Sequence, residues 1–307
     1  MRATYYIALS VALLCLMGCG SLVQEVDPGN VPTTTAKLVV HSYISPQDTV
    51  LAVLVEAPRA ILGQQADYNR VSISNALVDL SDGTTTIRLP YNVKNSLYRI
   101  DPKQLPIIAG RTYVLTVTAP NYPAVTAQCT VPMPVLPSEI WIDSTYQDFF
   151  EQRQLVTVSK LVWQDPGGQA NYYRVTGLFS RTIRTQYATS PTRPARDTTI
   201  VQSGSLRFDV TAALASDQGK DGQRFVSPAA YPVSYGYGQQ EQVLALQYSM
   251  TLLNVDVNYY RYHDAAQRQA ETGENPFAEP VLIPSNVQNG LGCFGAFNQS
   301  SITVRIR

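Results

Sequence analysis

Few residues in this chain have types and spacings that could do chemistry. Histidine occurs twice, at His41 and His263, and a Ser-His-acid or Cys-His mechanism needs one of them beside a nucleophile. No Gly-x-Ser-x-Gly elbow or other nucleophile motif is present. Zinc-type His-x-x-x-His and Cys-x-x-Cys spacings are missing, and no glycine-rich phosphate loop follows an apolar run. Asp165-Pro166-Gly167-Gly168 places an acid in a tight turn, as a calcium loop does. The same residues serve hairpin geometry, and the other oxygen ligands of a calcium loop are not spaced around them. Asp143, Asp148, Glu151 and Asp165 could supply the two carboxylates of a glycosidase, a chemistry defined by their separation in space. The expectation is a protein that is not an enzyme and needs no cofactor or metal.

The thiols are more informative. Arg2 opens the chain, residues 5–17 form a nearly uncharged apolar run, and Leu16-Met17-Gly18-Cys19 closes it with small residues before a thiol. This is the layout of a signal peptide over residues 1–18. The run is short of the ~20 residues a membrane-spanning helix needs. Leu-x-Gly-Cys resembles the bacterial lipobox, which implies diacylglycerol on Cys19 and cleavage before it. Residues 19–36 carry Pro28, Gly29, Pro32 and Thr33-Thr34-Thr35 and read as a lipidated tether, at most about 60 Å when extended. With Cys15 leaving in the signal peptide and Cys19 taking the lipid, Cys129 and Cys293 are the remaining thiols. An exported chain can bridge them; the alternative is two small buried thiols.

Tyrosine is the abundant polar aromatic, and it suits protein interfaces and sugar faces. Tyr231, Tyr235 and Tyr237 sit in a Pro- and Gly-containing segment and are the candidate recognition surface. Tyr259, Tyr260 and Tyr262 crowd the start of a helix pattern, where packing is the better reading.

Composition narrows the partners. Lys and Arg balance Asp and Glu, and charged residues make up only 15% of the chain. They are scattered rather than striped, so no nucleic-acid partner is expected.

The pattern that must position these residues is mostly β. Short apolar or alternating runs at 38–43, 50–56, 76–81, 84–89, 97–100, 112–118 and 124–131 predict seven strands, with Asp82-Gly83 as a hairpin turn. In the 112–118 run Tyr113, Leu115 and Val117 should face a core. Seven strands in this length suggest an immunoglobulin-like or transthyretin-like β-sandwich over residues 37–132. Pro132, Pro134 and Pro137 interrupt any ladder and place a domain boundary.

A second β-rich domain is expected over residues 138–307. Runs at 140–146, 155–163 and 172–180 predict strands, the last two joined as a hairpin by the Asp165 turn. Residues 181–197 read as a hairpin tip or loop, and 242–253 as a strand. One α-helix is predicted over about 256–272, with Asp256 as its cap and Gly273 as its stop. Runs at 281–284, 293–297 and 302–306 predict three closing strands. The whole is all-β with one helix.

Several segments together resemble a known family. They are Lys37-Leu38-Val39-Val40, Gly110-Arg111-Thr112-Tyr113 leading into Leu-Thr-Val-Thr, Asp165-Pro166 followed by Asn171-Tyr172-Tyr173-Arg174, Asn275-Pro276-Phe277-Ala278-Glu279-Pro280, Ser285-Asn286, and Gly290-Leu291-Gly292-x-Phe294-Gly295. In that order they resemble the domain of unknown function 4249 lipoproteins of Bacteroidota. The resemblance implies an outer-membrane lipoprotein, often encoded beside a TonB-dependent transporter, and supplies no catalytic residues. Family association favours the cell surface over the periplasmic face. Against it, Gly20-Ser21-Leu22-Val23 follow the lipid site where surface-exported relatives commonly carry acids.

The leading expectation is therefore a non-enzymatic, outer-membrane-anchored lipoprotein that serves a TonB-dependent transporter as an accessory or ligand-binding partner. A structural or adhesive surface protein that binds proteins or glycans is the second class, and a hydrolase with an unrecognised site the third.

Overall fold

The computed structural model describes residues 37–58, 72–149, 152–187, 196–209, 213–232, 241–272, 279 and 281–306. Cys19, Glu151, Tyr235, Tyr237, Gly273 and the 275–278 motif lie outside the described residues. Among the described residues the fold is all-β with a single α-helix, and the sandwich expected near the start is present. Its strands are β1 (Val39–Ile44), β2 (Leu51–Glu56), β3 (Leu77–Ser81), β4 (Thr86–Leu89), β5 (Tyr91–Asn92), β6 (Leu97–Ile100), β7 (Thr112–Thr118) and β8 (Val125–Thr130). One layer has the order β1-β2-β6-β5 and the other β4-β3-β7-β8.

Strict alternation explains the pairing of these layers. Tyr113, Leu115 and Val117 are buried on β7 while Thr112 and Thr118 face water, and β1 and β2 alternate in the same way. These side chains meet in one core with Val40, Val53, Val78, Leu80, Tyr98 and Phe294. The β3–β4 turn uses Asp82 as predicted: its Oδ1 accepts from the amides of Thr84 and Thr85 at 3.0 and 2.8 Å, and Gly83 takes φ +88°.

The second region consists of long ribbons. β9 (Pro137–Phe149) pairs antiparallel with β10 (Gln152–Gln164), and β11 (Tyr172–Tyr187) with β12 (Arg196–Phe208). Short strands β13 (Leu214–Ser216), β14 (Arg224–Val226) and β15 (Ala230–Pro232) pair with β11, with β10, and with both β10 and β12, respectively. β16 (Glu241–Val255) runs beside β11, helix α1 spans Val257–Thr272, and β17 (Leu291–Arg305) returns beside β16.

Three expectations are corrected here. β10 and β11 are not a hairpin: β10 pairs with β9, β14 and β15, and β11 with β12, β13 and β16. The Asp165 turn instead carries the chain over a core in which Trp163 meets Tyr173 at 5.2 Å between ring centroids and stacks on Phe225 at 5.4 Å. Burying each such ring contributes about 1.5–3 kcal/mol, which outweighs a hairpin's local convenience. Residues 281–284 are not a strand; the Val281 amide donates to Gln269 Oε1 on α1 at 2.7 Å instead of to a ladder. The runs at 293–297 and 302–306 are parts of the single strand β17.

β17 also pairs parallel with β1, Val40 opposite Gly292. The last strand therefore completes the first sheet, and Val287, Phe294 and Ala296 pack in the first core although the proline division placed them in the second domain. Gly292 is required at this junction. It has φ +108°, and a Cβ there would stand 2.0 Å from the Val40 carbonyl oxygen.

Candidate functional site

The proline segment that marks the boundary in the sequence is clamped. Prolines leave it without amide donors for a ladder, so its carbonyls need donors from elsewhere. Asn254 on β16 and Asn298 on β17 lie opposite each other in register. Asn254 Nδ2 donates to the Met133 carbonyl at 2.9 Å and Asn298 Nδ2 to the Pro132 carbonyl at 3.1 Å. Asn298 Oδ1 in turn accepts from Gln47 Nε2 at 2.9 Å. The contact with Met133 fixes the orientation of the Asn254 amide and turns its Oδ1 away from that carbonyl. Asn254 is only 2% exposed, and its buried Oδ1 has no hydrogen-bond donor among the described residues.

A cleft of about 570 Å³ lies beside this clamp, within the roughly 300–1,000 Å³ range of small-molecule sites. One wall is Gln128 to Met133, a second is Gln169 to Tyr172, and a third is Asn254 to Asn258 at the start of α1. Asp256 caps that helix as the sequence predicts, its Oδ1 accepting from the Tyr259 amide at 2.8 Å while Oδ2 accepts from Asn258 Nδ2 at 3.1 Å. Burial raises its carboxyl to about 6 against the pull of these hydrogen bonds. Asn171 holds its own wall, donating from Nδ2 to the Pro166 carbonyl at 2.9 Å. Among the described residues, no lysine, arginine or histidine lines the cleft. It offers side-chain amides, one carboxyl and an apolar side of Val131, Met133, Tyr172 and Val257. Sequence reasoning did not find it, because its walls come from three separate segments, the first and last more than a hundred residues apart.

A family model described as Domain of unknown function (DUF4249) matches residues 23–303. The chain belongs to that family. No curated protein matches it.

In this DUF4249 chain the two histidines, far apart in sequence, gather beneath α1. His41 Nε2 and the Tyr262 hydroxyl share a hydrogen bond at 2.8 Å, and the His263 ring lies 4.3 Å from that of Tyr259 and 5.2 Å from that of Tyr43. Cys293 is close by and donates to the Asn258 carbonyl at 3.7 Å. Burial depresses His263 to about 4 and, with the neighbouring Asp256 charge, raises the Cys293 thiol to about 12. Both groups are thus neutral at pH 7, which is the opposite of an activated Cys-His pair. Cys129 is also buried, burial again driving its thiol upward, and both cysteines are free thiols in the structure.

The helical tyrosines pack as expected. Tyr259 is buried against Tyr43, and Tyr260 meets Tyr172 at 4.9 Å between centroids. Of the loop set only Tyr231 is described; it is half-buried on β15, opposite Arg207 on β12.

The acids divide in two. Asp143 is exposed on β9, and Asp148 follows five residues later on the same strand, a separation of about 17 Å at the rise of a strand. Asp165 lies beyond the far end of β10, so these acids do not form a glycosidase pair. Asp165 instead meets Asp217 and Asp221, whose carboxylate oxygens all come within 4.8 Å of one another. Among the described residues this is the group that could hold a hard cation. Backbone donors already engage it: Gly222 N on Asp165 at 2.8 Å, Asn171 N on Asp217 at 2.8 Å and Gly168 N on Asp221 at 2.9 Å. Tyr173 also donates its hydroxyl to Asp165, and burial together with that carboxylate drives the phenol's pKa upward. The knot fastens the turn that carries β10 over to β11.

Proposed function

We propose that this protein is a non-enzymatic lipoprotein of the outer membrane, held there by lipid on Cys19 and displayed on the cell surface. In this reading it binds a small ligand in the cleft beside the Asn254 clamp and serves a TonB-dependent transporter as an accessory. The cleft carries the binding part: it is concave, partly apolar, and lined by polar groups whose positions are fixed by hydrogen bonds to the backbone. The lipobox and the tether support the anchoring. His263 and Cys293, both held neutral by burial, support the non-enzymatic part.

Affinity purification of the full chain with its lipid intact tests the partnership. A TonB-dependent transporter should be enriched over control lipoproteins isolated from the same membranes. Equal recovery with the controls removes the transporter from the proposal.

A further inference from the structure

The lining of the cleft restricts what can bind there. An anion such as phosphate or a carboxylate would enter without a counter-charge, because among the described residues no basic side chain lines the walls. A cation would find one carboxyl, Asp256, whose two oxygens already accept from the Tyr259 amide and Asn258. A wholly apolar ligand would strip water from Gln128, Gln169 and Asn258 without replacing their hydrogen bonds, at a cost of about 1–3 kcal/mol for each group left unpaired.

Side-chain amides both donate and accept. So do hydroxyl groups, and a ligand rich in them pairs with amides without any charge. Tyr172 and Met133 supply an apolar side against which the C–H face of a sugar ring packs.

We propose that the cleft is a saccharide site for a neutral mono- or disaccharide, in which the exposed amides of Gln128 and Gln169 and the part-exposed Asn258 hydrogen-bond the ligand's hydroxyls. This rests on the ligand-binding reading given above and specifies its chemistry.

Calorimetric titration of the full-length protein in detergent tests it. The probes are glucose, galactose, mannose, N-acetylglucosamine, maltose, cellobiose and lactose, with phosphate, putrescine and succinate for comparison. At least one sugar should bind saturably, and the three charged probes should not compete with it. The exposed Gln169→Ala and the part-exposed Asn258→Ala leave the Asn254 clamp intact, and each should weaken binding about five- to tenfold. The inference is overturned if no sugar binds, if a charged probe binds in its place, or if sugar binding is unchanged in both Gln169→Ala and Asn258→Ala. Enrichment of the transporter is measured separately. Its persistence alongside a failed sugar titration would reject the saccharide and retain the partnership, and the reverse pattern would reject only the partnership.

Discussion

Gly292 lies so close to Val40 across the parallel β1–β17 pair that a Cβ on it would stand 2.0 Å from the Val40 carbonyl oxygen. This contact is where the end of the chain completes the sheet begun by its first strand. Gly292→Ala adds both a clash against backbone and a positive-φ penalty. It should destabilise the protein by at least about 3 kcal/mol in urea unfolding. A loss below 1 kcal/mol would mean that β17 does not approach β1 in this way.

Tyr173→Phe removes one hydroxyl from the knot at Asp165. The ring still packs on Trp163, so the loss is confined to the hydrogen bond and the carboxylate oxygen left behind. Thermal or urea unfolding should show a loss of about 1–3 kcal/mol. A neutral result would show that Asp165 Oδ1 finds another donor.

Much of this architecture was legible in the sequence and some was not. The sandwich strands could be read because Tyr113, Leu115 and Val117 recur at every second position between Thr112 and Thr118, the period of a half-buried strand. The helix could be read because Asp256 is a good cap. β17 appeared as two strands because its middle, Asn298-Gln299-Ser300-Ser301, is polar, yet its register with β16 continues through those residues. The path from β10 to β11 was misread because a Pro-Gly-Gly turn does not reveal whether it joins neighbouring strands or crosses a core. The cleft was invisible because Asn254, Asn171 and Met133 meet only after the chain closes on itself.

Asp256 sets a pH dependence of known sign. Its folded pKa is raised from 3.8 to about 6, so the folded state takes up a proton before the unfolded state does. Its contribution to stability is therefore fully present below about 4 and is lost as pH rises through about 6. His263 acts oppositely. Its folded value falls to about 4, so between there and the ordinary 6.5 acidification favours the unfolded state. Asp256→Asn keeps a capping side chain and removes only the carboxyl titration. Relative to this variant, the wild type should gain on the order of 2 kcal/mol between pH 7 and pH 4. A difference that stays flat with pH would contradict the buried carboxyl.

Cys129 and Cys293 should behave as shielded thiols. Iodoacetamide should leave both unlabelled in the native protein at pH 8 and label both in urea without any reductant. Labelling that requires a reductant would identify a disulfide instead.

The proposed lipid on Cys19 underlies both the localisation and the transporter partnership. Mass spectrometry of the N-terminal peptide from protein isolated from its own membranes tests this directly. The proposal predicts a peptide that begins at Cys19 and carries the added mass of a diacylglycerol thioether. A peptide that retains residues 1–18, or one that begins at an unmodified Cys19, would contradict it.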